Sequence, residues 1–328
     1  MPQHALEEST TKPRLAIAEK SKSKVTDVIF APASFAQESF WFLWQLEPDN
    51  PFYNLSFAIN FKGKLDLDIL RQSLTELGQR HDVFRTTFTI TNDKPVQVIQ
   101  PSFALSLPVT DLAHLPEDKR QAEAQRLARV ESQQPFDLNN GPLLRLKLLR
   151  LADNNHQLIV TTHYIIFDDG STNLFLQELA RLYQTGSGGQ ATPVCPPLAQ
   201  YKDFVERQQQ WLQSEAMEHQ LSYWKQVLGN DRSLLQLPTD RPRPARQTYR
   251  GDRQRLFLPA TLTEKLKHLS QQENVGLYTS LLAAFKLLLY RYTGQAKILV
   301  GTTVNNRHQP EFQNVIGYFA NILPLRTE

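Results

Sequence analysis

The chain has 328 residues, 41% hydrophobic and 21% charged, and its 36 basic and 33 acidic residues leave a formal charge of +3. This is globular composition, long enough for two cored lobes; its near-balance of charge argues against nucleic acid as the main partner, and no run of about 18 apolar residues is present to span a membrane. The single cysteine, Cys195, excludes an intrachain disulfide and fits a reducing cytoplasm.

Residues 1–26 are polar, with Lys12, Arg14, Lys20, Lys22 and Lys24, and lack the apolar core of a signal peptide. They read as a disordered leader or interdomain linker. Pro32 to Leu46 reads as a short helix, followed by a turn at Pro48-Asp49-Asn50-Pro51. Leu55, Phe57, Ile59 and Phe61 alternate with polar or small residues, which predicts a strand with one apolar face. Asp66 is placed to cap a helix whose buried face carries Leu67, Leu70, Leu74 and Leu77. Arg80 to Phe88 leads into a second strand, and Glu117 to Gln134 is a polar helix.

Leu144, Leu146 and Leu148, alternating with Arg145 and Lys147, predict a half-exposed strand, and His156 to His163 predicts a buried one. Ser171 or Thr172 is placed to cap the helix that runs to about Tyr183. Thr185 to Pro197 is rich in Gly, Ser and Pro, a loop boundary that holds Cys195 as a bland thiol. Beyond it come a helical region from Tyr201 to Leu228, an extended Pro-rich stretch from Leu237 to Gly251, and a capping box at Thr261-Leu262-Thr263-Glu264. Tyr278 to Thr293 is almost wholly apolar and reads as a buried helix stopped by Gly294. Strands follow at Lys297 to Thr303 and Ala320 to Arg326. The mixture predicts an α/β chain with α+β two-layer lobes: leader 1–26, N-terminal lobe 27–185, linker 186–200 and C-terminal lobe 201–328.

Between the buried strand and its following helix lies His163-Tyr164-Ile165-Ile166-Phe167-Asp168-Asp169-Gly170-Ser171, where an active-site loop belongs. It resembles a degenerate copy of the His-His-x-x-x-Asp-Gly signature of the condensation domains of nonribosomal peptide synthetases. Tyr164 stands for the second histidine and Asp169 for the glycine. The resemblance extends along the chain. Ser34-Phe35-Ala36-Gln37 with Trp41-Phe42-Leu43, Arg80 to Phe88, Pro135-Phe136-Asp137-Leu138, Tyr201-Lys202-Asp203-Phe204, Leu237 to Pro244, and Ile316 to Arg326 all have the family's wording, in its order.

The resemblance implies a chloramphenicol-acetyltransferase-like, V-shaped pair of lobes, the second of them incomplete here. It implies an acyltransferase of secondary-metabolite biosynthesis that forms an amide between an acyl or peptidyl thioester and an aminoacyl thioester. Both substrates hang on phosphopantetheine arms of carrier proteins and meet in a tunnel between lobes, with no cofactor bound directly. The expected partners are carrier proteins and neighbouring synthetase domains. No metal-ligand spacing and no phosphate-cradling glycine loop is present.

The family gives proton handling to the second histidine, because an imidazole titrates near pH 6.5. Tyr164 is a phenol with a reference pKa near 10, a donor but a poor base. His163, one residue back on a strand, is expected to point away from the tunnel as a packing residue. Asp168 is expected to hold the loop by pairing with Arg326 or Arg85. Asp169 brings a carboxylate near the reaction centre, a charge that would repel an oxyanion or act as a substitute base, and with it strain if the backbone there has positive φ. His81 and Arg85 read as hydrogen-bonding residues of a helix–strand junction. The sequence leaves three readings: a condensation enzyme impaired at Tyr164, a non-catalytic recruitment or docking module, or a split or decayed gene product.

Overall fold

The computed structural model describes residues 27–188, 197–229, 234–245, 247–249, 251–252 and 254–327; the polar leader and Cys195 lie outside them. In chain order the elements begin with β1 (Ile29–Pro32), α1 (Phe35–Leu46), β2 (Asn54–Lys62), α2 (Leu67–Arg80), β3 (Thr86–Thr91), β4 (Lys94–Ile99), β5 (Val109–Asp111) and α3 (Glu117–Gln133). They continue with β6 (Leu144–Ala152), β7 (Asn155–His163), α4 (Asp169–Gly186), α5 (Tyr201–Leu212) and α6 (Glu215–Leu228). The last described part holds α7 (Ala260–Gln272), α8 (Leu277–Thr293), β8 (Ile298–Asn305) and β9 (Ala320–Thr327).

The strands form a four-stranded sheet of order β2-β7-β6-β5, a three-stranded sheet of order β1-β4-β3, and the β8-β9 pair. In the four-stranded sheet β2 and β7 run antiparallel from Lys62 opposite Asn155 to Asn54 opposite His163. That register carries the chain to His163 at the end of the sheet, where the next residue, Tyr164, turns out of it.

Both faces of this sheet are covered. On one, α2 and α4 pack together, with Leu70, Leu74 and Leu77 from α2 and Phe175 and Leu179 from α4 in the main core. Each such side chain contributes roughly 1.5–3 kcal/mol by leaving water. The start of α2 is fixed by Asp66, whose carboxylate accepts from the backbone N–H groups of Asp68 and Ile69. On the other face α3 covers Leu149, Leu151 and Ile159 with Ala124. Glu131 of α3 accepts from Arg145 and Lys147. The expected half-exposed β6 is therefore corrected: the face bearing Arg145 and Lys147 lies under α3, where Glu131 accepts from both.

Three further expectations change. The helix after the motif starts at Asp169 and is capped by Asp168, whose carboxylate accepts from Ser171 N–H at 2.8 Å, so neither Ser171 nor Thr172 is the cap. The box at Thr261 does not form, because Pro259 is the N-cap and Thr261 lies inside α7. The apolar helix α8 does end at Gly294 in the left-handed region, but it buries only Lys286 and Leu289 among its residues, with Leu287 at 60% and Leu288 at 51% exposure. It packs against α7 and β8, which cover one flank of a helix that is apolar on several.

The main core does not divide where the Gly/Ser/Pro-rich stretch lies. Tyr201 and Val205 of α5, together with Phe312, Val315, Ile316 and Phe319 from the β8–β9 connection, join the same core as α2 and α4. Tyr201 donates its hydroxyl to Tyr318 O at 2.6 Å and lies 3.0 Å from Ser34 Oγ, so one side chain ties three distant segments. Gly317 makes room for it: a Cβ there would lie 2.1 Å from the Tyr201 ring. Gly317→Ala is expected to cost roughly 1–3 kcal/mol of stability, read as a lowered urea midpoint with an unchanged slope.

Candidate active site

Tyr164 opens a single 3-10 turn, Tyr164–Ile166, between β7 and α4. The turn is held from two sides. His163 Nδ1 accepts from Ile165 N–H at 3.0 Å, and the Gln37 side-chain amide donates to Ile165 O at 3.1 Å. Gln37 is itself fixed by a reciprocal capping box with Ser34 at the start of α1. The Ser34 to Gln37 segment and the motif loop are thus one structure, although they lie far apart in sequence.

A cleft of about 770 Å³ opens above this turn. Its floor and walls include Tyr164, Asp168, Asp169 and Gly170 from the motif, Phe40 and Tyr53 from the N-terminal elements, and Arg307 and Tyr318 from beyond β8. Tyr164 stacks on Phe40 at 6.4 Å between ring centroids and meets the Tyr318 ring edge-on at 6.1 Å. Burial, then the nearby Asp169 carboxylate, raise the Tyr164 pKa above the ordinary phenol value. At neutral pH the side chain is a protonated phenol, able to donate and unable to serve as a base.

His163 faces away from the cleft. It is 4% exposed and boxed by the rings of Phe40, Tyr53 and Phe136. Burial drives its pKa down to about 3. Because Nδ1 accepts a backbone hydrogen bond, the ring proton of the neutral form sits on Nε2. Between about pH 6.5 and about 3 the unfolded chain binds a proton here that the native chain refuses, so stability falls as pH drops through that window. His163→Gln is expected to flatten the pH dependence of urea stability between about pH 6 and 4 by close to one proton, a slope of about 1.4 kcal/mol per pH unit.

Asp168 anchors the site. Arg307 grips it through a two-bond fork, Nη2 to Oδ1 at 2.8 Å and Nη1 to Oδ2 at 2.9 Å. Ser171 N–H donates to Oδ1, and Phe319 and Ala320 N–H donate to Oδ2 at 3.0 and 3.2 Å. Burial alone would raise its pKa, but the Arg307 guanidinium and these donors outweigh burial and hold it below the ordinary carboxylate value. The partnership expected with Arg326 or Arg85 is corrected. Arg326 donates to Val227 O and Leu228 O at the end of α6, and Arg85 pairs with Asp82 and Gln100 O. His81 and Arg80 both bind Glu178 of α4, across the α2–α4 contact.

The expected strain at Asp169 is absent, since positive φ among described non-glycine residues occurs only at Asn92, Asp93, Tyr249 and Asn274. The need for glycine falls one residue later. A Cβ on Gly170 would lie 2.7 Å from Arg307 Nη1 and 3.5 Å from Asp168 Oδ1. Asp169, at the first position of α4, is exposed and lines the cleft. Among the described residues no cluster of His, Cys, Asp and Glu could hold a metal ion, and no helix is long and apolar enough to cross a membrane.

A family model described as "Condensation domain" matches residues 29–328. Similar curated proteins include linear gramicidin synthase subunits B and C of Brevibacillus parabrevis, 44% and 42% identical over 297 residues, which is 90% of this chain. The chain spans only 6% and 4% of the length of those two relatives. Among solved structures, the X-domain from teicoplanin biosynthesis superposes with a TM-score of 0.80 at 27% identity, over 98% of this chain and 67% of that one. The starter condensation domain of rhizomide synthetase, in complex with C8-CoA and Leu-SNAC, superposes with a TM-score of 0.76 at 26% identity, over 90% of this chain and 66% of that one.

Proposed function

Because the chain belongs to the condensation-domain family of nonribosomal peptide synthetases, we propose that its cleft joins a carrier-bound acyl or peptidyl thioester to a carrier-bound aminoacyl thioester, slowly. The amine nitrogen attacks the thioester carbonyl, a C–N bond forms, the C–S bond breaks, and the proton lost from nitrogen ends on the leaving thiol. The phosphopantetheine arms belong to the substrates, and carrier proteins and adjoining synthetase domains are the partners.

The observation that carries this reading is the cleft with Tyr164 and the Asp168–Arg307 pair at its floor. The pair ties the start of α4 to the β8–β9 connection at the floor of the cleft, and this supports a fixed surface on which two substrates can meet. No hydrogen bond engages the Tyr164 hydroxyl among the described residues, so it is free to donate to the developing oxyanion. Deprotonation of the amine is left to solvent, since Tyr164 is a protonated phenol and His163 is buried with a pKa of about 3. Neither supplies a base, and the proposed reaction rests on positioning. The test is amide formation from two loaded carrier proteins, followed by mass spectrometry of the carrier-bound product. Product above the enzyme-free background supports the reading; none, in the full-length protein, removes it.

A second reading is favoured by one observation. A solved complex joins the teicoplanin X-domain, 26% identical to this chain, with OxyB. A condensation-like domain without a cleft base would suit the same use here, as a platform for a partner protein. Absence of turnover together with specific retention of a partner from the same biosynthetic assembly would favour it.

A further inference from the structure

The cleft combines an aromatic wall with one uncompensated negative charge. Phe40 lies 5.1 Å from Tyr53 and 4.8 Å from Tyr318 between ring centroids, and Tyr164 stacks on Phe40, so four rings from four segments meet on one side. Of the charged side chains lining the cleft, Arg307 and Asp168 satisfy each other in the two-bond fork. Asp169 has no ion pair and no side-chain hydrogen bond among the described residues, and it is exposed toward the same space. Asp169, Phe40, Tyr164 and Tyr318 line the same cleft, and the Asp169 charge is near enough to help raise the pKa of both tyrosines.

A helix first turn favours an acidic residue, and that alone accounts for an aspartate at position 169. It does not account for the rings that line the same cleft. Aromatic faces carry a negative quadrupole that attracts ammonium and guanidinium groups, and a carboxylate at the rim supplies the ionic partner. A cation entering here exchanges water for both. A neutral or acidic group exchanges water for an unpaired carboxylate.

We propose that this cleft selects an acceptor amino acid bearing a cationic group, a primary ammonium or guanidinium, held by Asp169 against the rings of Phe40, Tyr164 and Tyr318. The assignment rests on the reading of the cleft as an aminoacyl site and names its substrate class. The α-ammonium of the acceptor and a cation at the end of its side chain share the chemistry, and the probes separate them.

The experiment measures binding of small probes to the wild-type protein by calorimetry, with no turnover required. N-acetyl-lysinamide is compared with N-acetyl-norleucinamide, which lacks only the side-chain charge. Norleucinamide is compared with N-acetyl-norleucinamide, which lacks the α-ammonium. In the first pair the cationic probe is expected to bind about tenfold more tightly, from a cation–π contact and a carboxylate in one site. A preference confined to the second pair marks an α-ammonium site common to every amino acid and overturns the selection of a cationic side chain. The preference is expected to shrink to about twofold or less in Asp169→Asn, whose fold is checked by circular dichroism, and to fall in Tyr164→Leu. Equal affinity within the first pair, or a preference unchanged in Asp169→Asn, overturns the proposal. A charge preference in a protein that forms no amide leaves this inference standing while the synthetic reading fails.

Discussion

Tyr164→His is expected to raise the rate of amide formation by about 10²–10⁴-fold, the usual contribution of a positioned acid–base group. The geometry permits the gain. Position 164 is half-buried, lines the cleft and opens a turn pinned by Gln37 and by the His163 ring. An imidazole there lies beside Asp169, whose charge opposes the effect of burial on its titration, so it can accept a proton near neutral pH. Tyr164→Phe separates the roles of the present residue. If the phenol donates to the oxyanion, its removal lowers an already small rate by about tenfold or more. If the ring only fills space, the rate is unchanged. The comparison is made with both carrier proteins loaded and the product detected by mass spectrometry. A wild-type rate equal to that of Tyr164→His would show that the cleft has proton handling from a source other than residue 164.

The second large effect is on the fold. Arg307→Ala is expected to cost about 3–5 kcal/mol, the penalty for leaving a buried carboxylate without its cation. Asp168 is 2% exposed and would keep only Ser171 and the Phe319 and Ala320 N–H groups as donors. Replacing both partners is expected to cost less than the two single losses combined, because no uncompensated charge remains in Asp168→Asn/Arg307→Ala. Urea unfolding of the four proteins checks this. The pH dependence of the Asp168 contribution has a fixed sign: its folded pKa lies below the ordinary value, so the stabilisation is present above about pH 3.9 and is lost as pH falls through the depressed value. Additive single and double losses would mean that the fork carries little of the connection between α4 and the β8–β9 segment.

The fold and site differ in how legible they were. Periodicity reached the β2 strand, the capped α2, the buried β7 and the position of the cleft loop, because each writes its environment into neighbouring residues. The hairpin of β3 and β4 was overlooked, although Asn92 and Asp93, with φ of 50° and 62°, are the residues that a tight turn with two left-handed positions prefers. Arg307 was missed for a different reason. It meets Asp168 across 139 residues, and no local pattern specifies which of several arginines makes such a contact. The nearby hint was weak: a cation in the short irregular stretch between two strands that flank an expected cleft. Asp169 and Gly170 show the limit of motif alignment. Matching letters put the loss of a glycine at 169, whereas the close approach of Arg307 puts the steric demand at 170. The exposed sides of α8 show that apolar composition specifies a preference for cover and not the element that supplies it.

The central claim is that this cleft keeps its positioning framework and that its amide formation runs without a protein base. The pH profile of wild-type amide formation, measured under single turnover in the full-length protein from about pH 5.5 to 9, tests it most directly. The expected rate rises only as the acceptor amine deprotonates, with an inflection at about pH 7.7–8.0 and none below about pH 7. An inflection between about pH 5.5 and 7 that disappears in Tyr164→Phe, His163→Gln or Asp169→Asn would contradict it and identify the base.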